Sequence, residues 1–453
     1  MPRSDTVIVE VGGMIVENWE EYEIDSDLLV AADGWTLRCP LIGSASERLA
    51  WLDVVSVGAT MRLYVGNDIV MRGTQARQQA WAAYIQHTGI VDTVEVSAGR
   101  KGESGTVVTI TGRDMAAHLV DNSVHPSLFQ AAGENLIALA EGVCSEFNIP
   151  VIADSSASRN IATGSPATLP DQRVLAEQAR QHGVPVQNWS RATLRAGNQS
   201  GRPYDEIAGA TDTPALERAR RRSSSGQTPS DALRQRLADA KPQGGETAWE
   251  FLERHARHFG LLLWMSPIGE LIIAAPTYSQ RARFRFDRRV GSSIDSETTV
   301  LAGSYKQNGA DRYSEVRVYG RHRARGAQRT GLVGIARATD AQSDPSWPRP
   351  HVLPFARRHV AHDSHATTQA ELNRAARRVF AEHQQEADVY EVTAWGHGQR
   401  EYLFGIDTVA HIDDQQVGLR PGDWYVTRRT FRKNRESGTT TDLRLIPRGR
   451  IAL

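Results

Sequence analysis

The chain has 453 residues, 40% of them hydrophobic and 23% charged, with 53 basic side chains against 53 acidic ones. That composition is ordinary for a water-soluble globular protein, and the length accommodates two to four domains. The exact charge balance leaves net charge with nothing to say for or against a nucleic-acid partner. Cysteine occurs twice, as Cys39 and Cys144. The two are far apart and form no C-x-x-C pair, which points to a reduced, intracellular folding compartment. The opening residues, MPRSDTVIVEVGG, lack the apolar core of a signal peptide. No apolar run approaches the ~18 residues of a membrane span. The expectation is a protein folded in a cytoplasm, with no membrane span.

Residues 1–112 read mostly as strands. TVIVEVGGMIV alternates and turns at Gly12-Gly13, a hairpin signal. MRLYVGNDIVMRG reads as a second hairpin, turning at Gly66-Asn67-Asp68. VDTVEVSAGRKGESGTVVTITG reads as a third, with Val94 and Val96 on one arm and Val108 and Ile110 on the other. Residues 74–88, TQARQQAWAAYIQHT, interrupt the pattern as a short helical excursion. Several short strands with Gly-rich turns predict a small barrel or sandwich.

At GRDMAAHLVDNSV the period changes. Asp114 is placed as an N-cap, with Met115 and Leu119 one turn apart. ENLIALAEGVCSEF is a helix with Leu136, Leu139, Ala140 and Val143 in one stripe, closed at Pro150. Residues 155–245 are rich in Ser, Ala, Arg, Gly and Pro and read as an exposed insertion. Two short helical pieces, DQRVLAEQARQHG and DALRQRLADA, flank its most polar part. In GGETAWEFLERHARHFG a helical stripe returns, with Trp249, Leu252, Ala256 and Phe259 inward and Gly260 as the stop. LLLWM and LIIAAP then form a hairpin around Pro267-Ile268-Gly269.

From Ser279 the chain is strand-rich again: RARFRFD, TVLAGSYKQ and YSEVRVYG, followed by a loop of roughly thirty residues. QAELNRAARRVFAEH is an amphipathic helix with Leu372, Ala375, Ala376 and Val379 inward. The tail, from YEVTAWGHG to TDLRLIP, is strands. Its last loop repeats a word already met: E-S-G-T stands at 103–106 and at 436–439. Four matching letters arise by accident in a chain of this length. The context carries more weight, because each copy sits in the loop of a hairpin that ends a β-rich region. Two related small barrels are expected, with the two hairpins in corresponding positions.

The groups that carry chemistry in other proteins are sparse here. Glu253, His255 and His258 in ERHARHFG have the wrong spacing for the zinc-protease motif, which needs two His at i,i+4 with Glu between them. A solvated helix face is the reading. His118 and Asp121 in RDMAAHLVD are close enough on a helix for an ion pair or a cap, and no nucleophile accompanies Asp114 and His118. HVAHDSHA, with His359, His362, Asp363 and His365, reads as a loop able to gather metal ligands. No G-x-S-x-G, Walker loop or dinucleotide turn occurs. The expectation is no catalytic, cofactor or metal residue set, and no enzyme. Basic runs with interleaved aromatics, among them RARFRFDRR and RRTFRKNR with Phe284, Phe286 and Phe431, have the composition of a nucleic-acid surface. Solvated strands have the same composition.

Three phrases in order carry a resemblance: VTITGRDMAAHLVDNSV; GETAWEFLERHARHFGLLLWMSPIGELIIAAP; and ELNRAARRVFAEHQQEADVYEVTAWGHG followed by IDTVAHIDDQQVGLRPGDWYVTRRTFRKNRESGTTTDLRLIP. Together they resemble the baseplate hub protein of Mu-like contractile-tail phages, over most of residues 5–150 and 245–450. The resemblance implies an α+β, mostly β chain with two tube-like antiparallel β-barrels joined by an α/β region. The expected divisions are a first barrel at 1–113, an α/β domain at 114–276 with the insertion at 155–245, and a second barrel at 277–453 with one helix at 368–384. It further implies a homotrimeric ring in the virion's tail baseplate, assembled in the host cytoplasm. That ring adapts a sixfold tail tube to a threefold central spike and leaves a channel through which DNA passes without specific binding. The implied partners are two further copies, the spike, tube or distal tail proteins, and other baseplate proteins. The hub of a phage-derived particle, a bacteriocin or secretion spike, fits the same phrases. A tail-associated cell-wall hydrolase or peptidoglycan-binding protein is the alternative of another class.

Overall fold

The computed structural model describes residues 6–16, 19–66, 85–99, 105–124, 136–153, 242–258, 261–276, 280–289, 300–310, 312–320, 333–337, 356–363, 366, 369–399, 402–434 and 436–451. The chain begins with β1 (Thr6–Val11) and β2 (Met14–Val16), reversed at Gly12 and Gly13 with φ of 59° and 81°. Two successive positive φ values are what a tight two-residue hairpin requires. β3 (Glu21–Asp27), β4 (Gly34–Pro40), β5 (Thr60–Gly66), β6 (Ile85–Ala98) and β7 (Thr106–Asp114) complete the first set. Strict alternation along β3 and β4 puts Tyr22, Ile24, Trp35, Leu37 and Cys39 in the core. Between β4 and β5 lies helix α1 (Ala45–Val54), opened by a capping box in which Ser44 and Glu47 bond each other's backbone N–H.

The middle of the chain is a separate layer. Helix α2 (Ala117–Asp121), helix α3 (Leu136–Ser145) and helix α4 (Ala248–His258) pack on a small sheet. Its strands are β8 (Val151–Ala153), β9 (Leu262–Met265) and β10 (Leu271–Ala274), in the order β8-β10-β9. Leu136, Leu139, Ala140 and Val143 of α3 face Trp249, Phe251, Leu252 and Ala256 of α4 in one buried cluster. The expected stripes are there; Phe259 and Gly260 lie outside the described residues.

The last third supplies β11 (Phe284–Arg288) and β12 (Val300–Gln307). A small unit follows, formed by β13 (Glu315–Gly320), β14 (Val333–Arg337), β15 (Arg358–Asp363) and helix α5 (Gln369–Gln385). Leu372, Ala375, Ala376 and Phe380 of α5 close over Val316, Val318 and Ala336. The chain ends with β16 (Asp388–Trp395), the short pair β17 (Gly398–Gln399) and β18 (Tyr402–Leu403), and then β19 (Thr408–Asp414), β20 (Gly422–Asn434) and β21 (Gly438–Pro447).

The strands from the two ends of the chain form one thirteen-stranded sheet, in the order β12-β16-β21-β20-β3-β4-β7-β6-β5-β1-β2, with β19 on β20 and β11 on β19. This sheet contains a duplication. In chain order, β1, β3, β4, β5, β6 and β7 correspond to β11, β12, β16, β19, β20 and β21. Within each set the neighbours run in the same spatial order, β3-β4-β7-β6-β5-β1 and β12-β16-β21-β20-β19-β11. Only the end pair differs in sense, since β1 is antiparallel to β5 and β11 is parallel to β19.

Register makes the match residue by residue. Leu37 pairs with Ile110 as Val392 pairs with Leu443. Both long hairpins carry a bulge at the same place: β6 slips between Val91 and Thr93, and β20 between Val426 and Arg428. Thr93 then faces Thr111, and Arg428 faces Arg444. Thr106 lies five residues before Thr111, and Thr439 five before Arg444. The two E-S-G-T words therefore end at one and the same register position. Gly105 and Gly438 enter the returning strands with φ of 138° and 69°. Glu103 and Ser104 lie outside the described residues.

Several expectations are corrected. Residues 85–88 belong to β6 and not to a helical excursion; residues 74–84, and the turn at Asn67-Asp68, lie outside the described residues. The loop expected after Gly320 contains β14, because Gly334 to Ala336 pair with Val316 to Val318. HVAHDSHA begins as a strand, β15, running parallel to β13. Asp114 does not cap a helix: its carboxylate accepts from Ala116 N two residues on, and α2 begins at Ala117 without a side-chain cap. The insertion at 155–245 lies outside the described residues up to Lys241, including both helical pieces.

Candidate functional site

Two features of the duplicated sheet matter for function: the seam where the halves join, and the edges left open. The seam forms because β20 has two neighbours along one edge. Gly422 to Val426 pair with β19, and past the bulge Arg428 to Lys433 pair with Asp27 to Tyr22 of β3. On the inner face Phe431 sits opposite Ile24, both fully buried. On the outer face Arg428 bridges Asp25 at 3.1 Å and Arg432 bridges Glu23 at 2.8 Å. Thr430 donates to Asp25 at 2.5 Å.

Arg429 is the buried anchor of the seam. Its guanidinium donates to the Gln86 side chain at 2.8 Å, to Phe404 O at 3.1 Å and to Ser26 Oγ at 2.7 Å. It also lies 4.1 Å over the Phe431 ring. Around it is a cavity of about 30 Å³, lined by Asp33, His87, Asp114, Ser266 and Thr408 among others, enough for a water or two. Burial, with Asp114 beside it, holds the Asp33 carboxyl well above the usual carboxylate range. Burial pushes Asp114 up to about 7. Burial and the Arg429 charge push the His87 imidazole down to about 3.

The pH dependence follows from these directions. A carboxyl that stays protonated in the fold but ionises in the unfolded chain favours the fold at low pH. Its contribution is lost as pH rises from about 4 through its folded value of about 7. His87, neutral in the fold, acts oppositely: its contribution is complete above the usual imidazole range and is lost as pH falls from about 6.5 toward 3. Asp114→Asn is expected to gain stability over wild type at about pH 8 and to lose that advantage at about pH 5. Urea midpoints at the two pH values measure it; equal differences at both would sink the assignment.

The other candidates resolve into structural roles. Asp121 gives both oxygens to Arg113, at 2.9 and 2.7 Å, and Arg113 also clamps Asp92. His118 stacks on Phe147 with ring centroids 5.6 Å apart. Glu253 pairs with Arg257 one turn on, but His255 is not on a solvated face as expected: it is buried edge-on against Phe251. His359 packs with Tyr313 and His383, while His362 lies against Tyr319. The side chain of His258 and all of His365 lie outside the described residues. Among the described residues no three His, Cys, Asp or Glu side chains gather as metal ligands. Phe284, Phe286 and Phe431 are buried in the core, so they offer no stacking platform to bases. Among the described residues no helix is long and apolar enough to cross a membrane.

The open edges are the feature that sequence reasoning missed. Among the described residues, the edge of β6 that pairs with β5 is used only from Ile85 to Ile90, and Thr93 to Ala98 have no strand on that side. β12 ends the sheet order and, among the described residues, pairs with β16 alone. Val96, opposite the buried Val108, remains 46% exposed, and Leu301 of β12 is 50% exposed. Unpaired edges of this kind are templates for another strand. Their signal in the sequence was the half-apolar V-D-T-V-E-V-S-A, whose polar positions resemble those of a solvated strand.

Comparison with known proteins gives these edges a setting. Residues 6–114 match the family model for the Mu phage baseplate assembly protein GpP-like, N-terminal domain. Residues 230–275 match that for the baseplate hub protein gp44-like, second domain. A tail protein from Neisseria meningitidis MC58 shares the fold with a TM-score of 0.64 and 18% identity, over 99% of this chain and 98% of that one. The 43 kDa tail protein of prophage MuSo2 from Shewanella oneidensis does so with a TM-score of 0.63 and 16% identity, over 98% and 99%. The prophage tail protein gp18 from Listeria monocytogenes EGD-e follows with 0.50 and 7%, over 98% and 95%. No curated protein sequence matches the chain. The fold over nearly the whole chain is thus one shared with phage tail proteins. Within it, residues 6–114 form a GpP-like baseplate domain and residues 230–275 match a gp44-like baseplate hub domain.

Proposed function

We propose that the chain works as a structural hub of a contractile tail, three copies forming a ring around the tail axis. The observation that carries this reading is the duplicated strand order with its shared bulge. A chain with two equivalent sheet halves gives a threefold assembly six equivalent positions. Such a ring mates with a sixfold tube on one side and a threefold spike on the other, with a central channel for DNA. Corresponding hairpins, those of residues 100–108 and 433–441, then recur about every sixty degrees around the axis. The rest of the chain holds the trimer and seats its neighbours. The protein's work is assembly and not catalysis.

Solution mass tests this directly. Light scattering of the purified chain at rising concentration is expected to reach three chain masses. A chain that stays monomeric at the highest concentration would overturn the ring.

A further inference from the structure

The seam inside one chain specifies the joint between two chains. Within the chain, the strand after the bulge of the second half (β20) adds to the free edge of β3 in the first half. The equivalent of β20 in the first half is β6, whose segment after the bulge pairs with β7 on one side and, among the described residues, with no strand on the other. The equivalent of β3 in the second half is β12, which among the described residues has no strand on its outer edge; Gly303 O accepts there from the Arg288 side chain at 3.1 Å. Each chain thus uses one copy of this joint internally and leaves the two complementary parts of a second copy at its two ends.

We infer that residues 94–98 of β6 in one chain pair antiparallel with residues 303–307 of β12 of the next, closing a ring of identical chains; this rests on the trimeric reading above. The register is fixed by the internal copy. Gly303 faces Val392 as Tyr22 faces Leu37, so Gly303 stands where Tyr22 stands. Arg428 pairs with Asp27 and Lys433 with Tyr22. By correspondence, Val94 meets Gln307, Glu95 meets Lys306, Val96 meets Tyr305, Ser97 meets Ser304 and Ala98 meets Gly303.

The chemistry of those pairs agrees. Glu95 meets Lys306, one of only four lysines in the chain, at the outer-face position where Thr430 meets Asp25 internally. Opposite charges facing across strands stabilise a pair, and like charges oppose it. Val96 meets Tyr305 at the inner-face position of Phe431 and Ile24. That contact covers the valine left 46% exposed in the single chain. Small residues meet at the end, Ala98 against Gly303. Slipping the register by one residue would turn Val96 away from the core side and set Glu95 against Gln307 or Tyr305.

Cysteine pairs test the register. Two double variants, Glu95→Cys with Lys306→Cys and Val96→Cys with Tyr305→Cys, cover adjacent rungs, of which one is the closer, non-hydrogen-bonded kind. Oxidation of the purified, associated protein is expected to give reducible dimers and closed covalent trimers with at least one double variant. Each single variant, and wild type with its buried Cys39 and Cys144, stays at one chain mass on a denaturing gel. A protein of three chain masses that cross-links with neither pair would overturn the strand joint while leaving the trimer standing. A persistent monomer would overturn both. Charge reversal gives an independent reading: Lys306→Glu is expected to weaken association about tenfold at each joint, and Glu95→Lys added to it to restore most of the loss. No recovery in the double exchange would count against the facing of these two residues.

Discussion

Arg429→Ala is expected to lower the stability of the fold by about 3–5 kcal/mol, because it strips a buried polar network of a donor that its acceptors share. Ser26 Oγ, the Gln86 side chain and Phe404 O each accept from this guanidinium. All three sit where water cannot fully replace it, beside a cavity of about 30 Å³. These acceptors come from β3, β6 and the segment after β18, so the loss reaches both halves of the sheet. Arg429→Lys is expected to recover part of the loss, since a single ammonium keeps the charge but cannot span the acceptors that the planar fork reaches. Denaturant midpoints of the three proteins check this, and an alanine variant within about 1 kcal/mol of wild type would show the network to be dispensable.

The second large effect is expected at Gly112. A Cβ at this position of β7 would stand 1.9 Å from Ile90 O and 2.6 Å from Trp35 Cε2. The nearer atom is backbone of the neighbouring strand β6 and has no rotamer by which to yield. Gly112→Ala is therefore expected to cost about 3 kcal/mol or more, or to abolish soluble expression. The control is Gly112→Ala combined with Trp35→Ala. It removes the ring but not the carbonyl, and is expected to recover little. Full recovery would mean that the indole alone sets the constraint. The corresponding position of the second half is Leu445, paired with Tyr390 as Gly112 is paired with Trp35. The duplication keeps an aromatic on one strand and divides the space differently with its partner.

How much of this was legible follows from the range of the forces involved. The Gly12-Gly13 turn, the α3 and α4 stripes and the hairpin around Gly269 were readable because each rests on a local period or a positive φ. α1 was overlooked, although Ser44 and Glu47 spell its capping box. The helix buries no residue among Ala45–Val54, so no apolar stripe announced it. β14 was taken as loop because it runs only from Val333 to Arg337 and gains its place from β13 and α5. The E-S-G-T repeat pointed correctly to the duplication. Its proof needed register, since outside that word the corresponding strands share little: V-T-I-T in one half stands where T-D-L-R stands in the other. The seam and the Arg429 cluster were not legible at all. In sequence RRTFRKNR resembled a basic surface. Only the pairing of β20 with β3 distinguishes Arg428 and Arg432, which face outer carboxylates, from Arg429, which is buried between them.

The pairing of β20 with β3 also sets the order of events during synthesis. Arg429 and Ser26 are 403 residues apart. The β3 edge leaves the ribosome some four hundred residues ahead of β20 and stays open until β20 has been made. Loop closure over that distance is slow, and an exposed strand edge invites wrong partners in the meantime. The acidic run along β3, Glu21, Glu23, Asp25 and Asp27, gives nascent copies of this edge a reason to repel one another. Two of these carboxylates, Asp25 and Glu23, later receive Arg428 and Arg432; before that, all four act as a guard. A chain truncated before residue 428 keeps the guard without its partner.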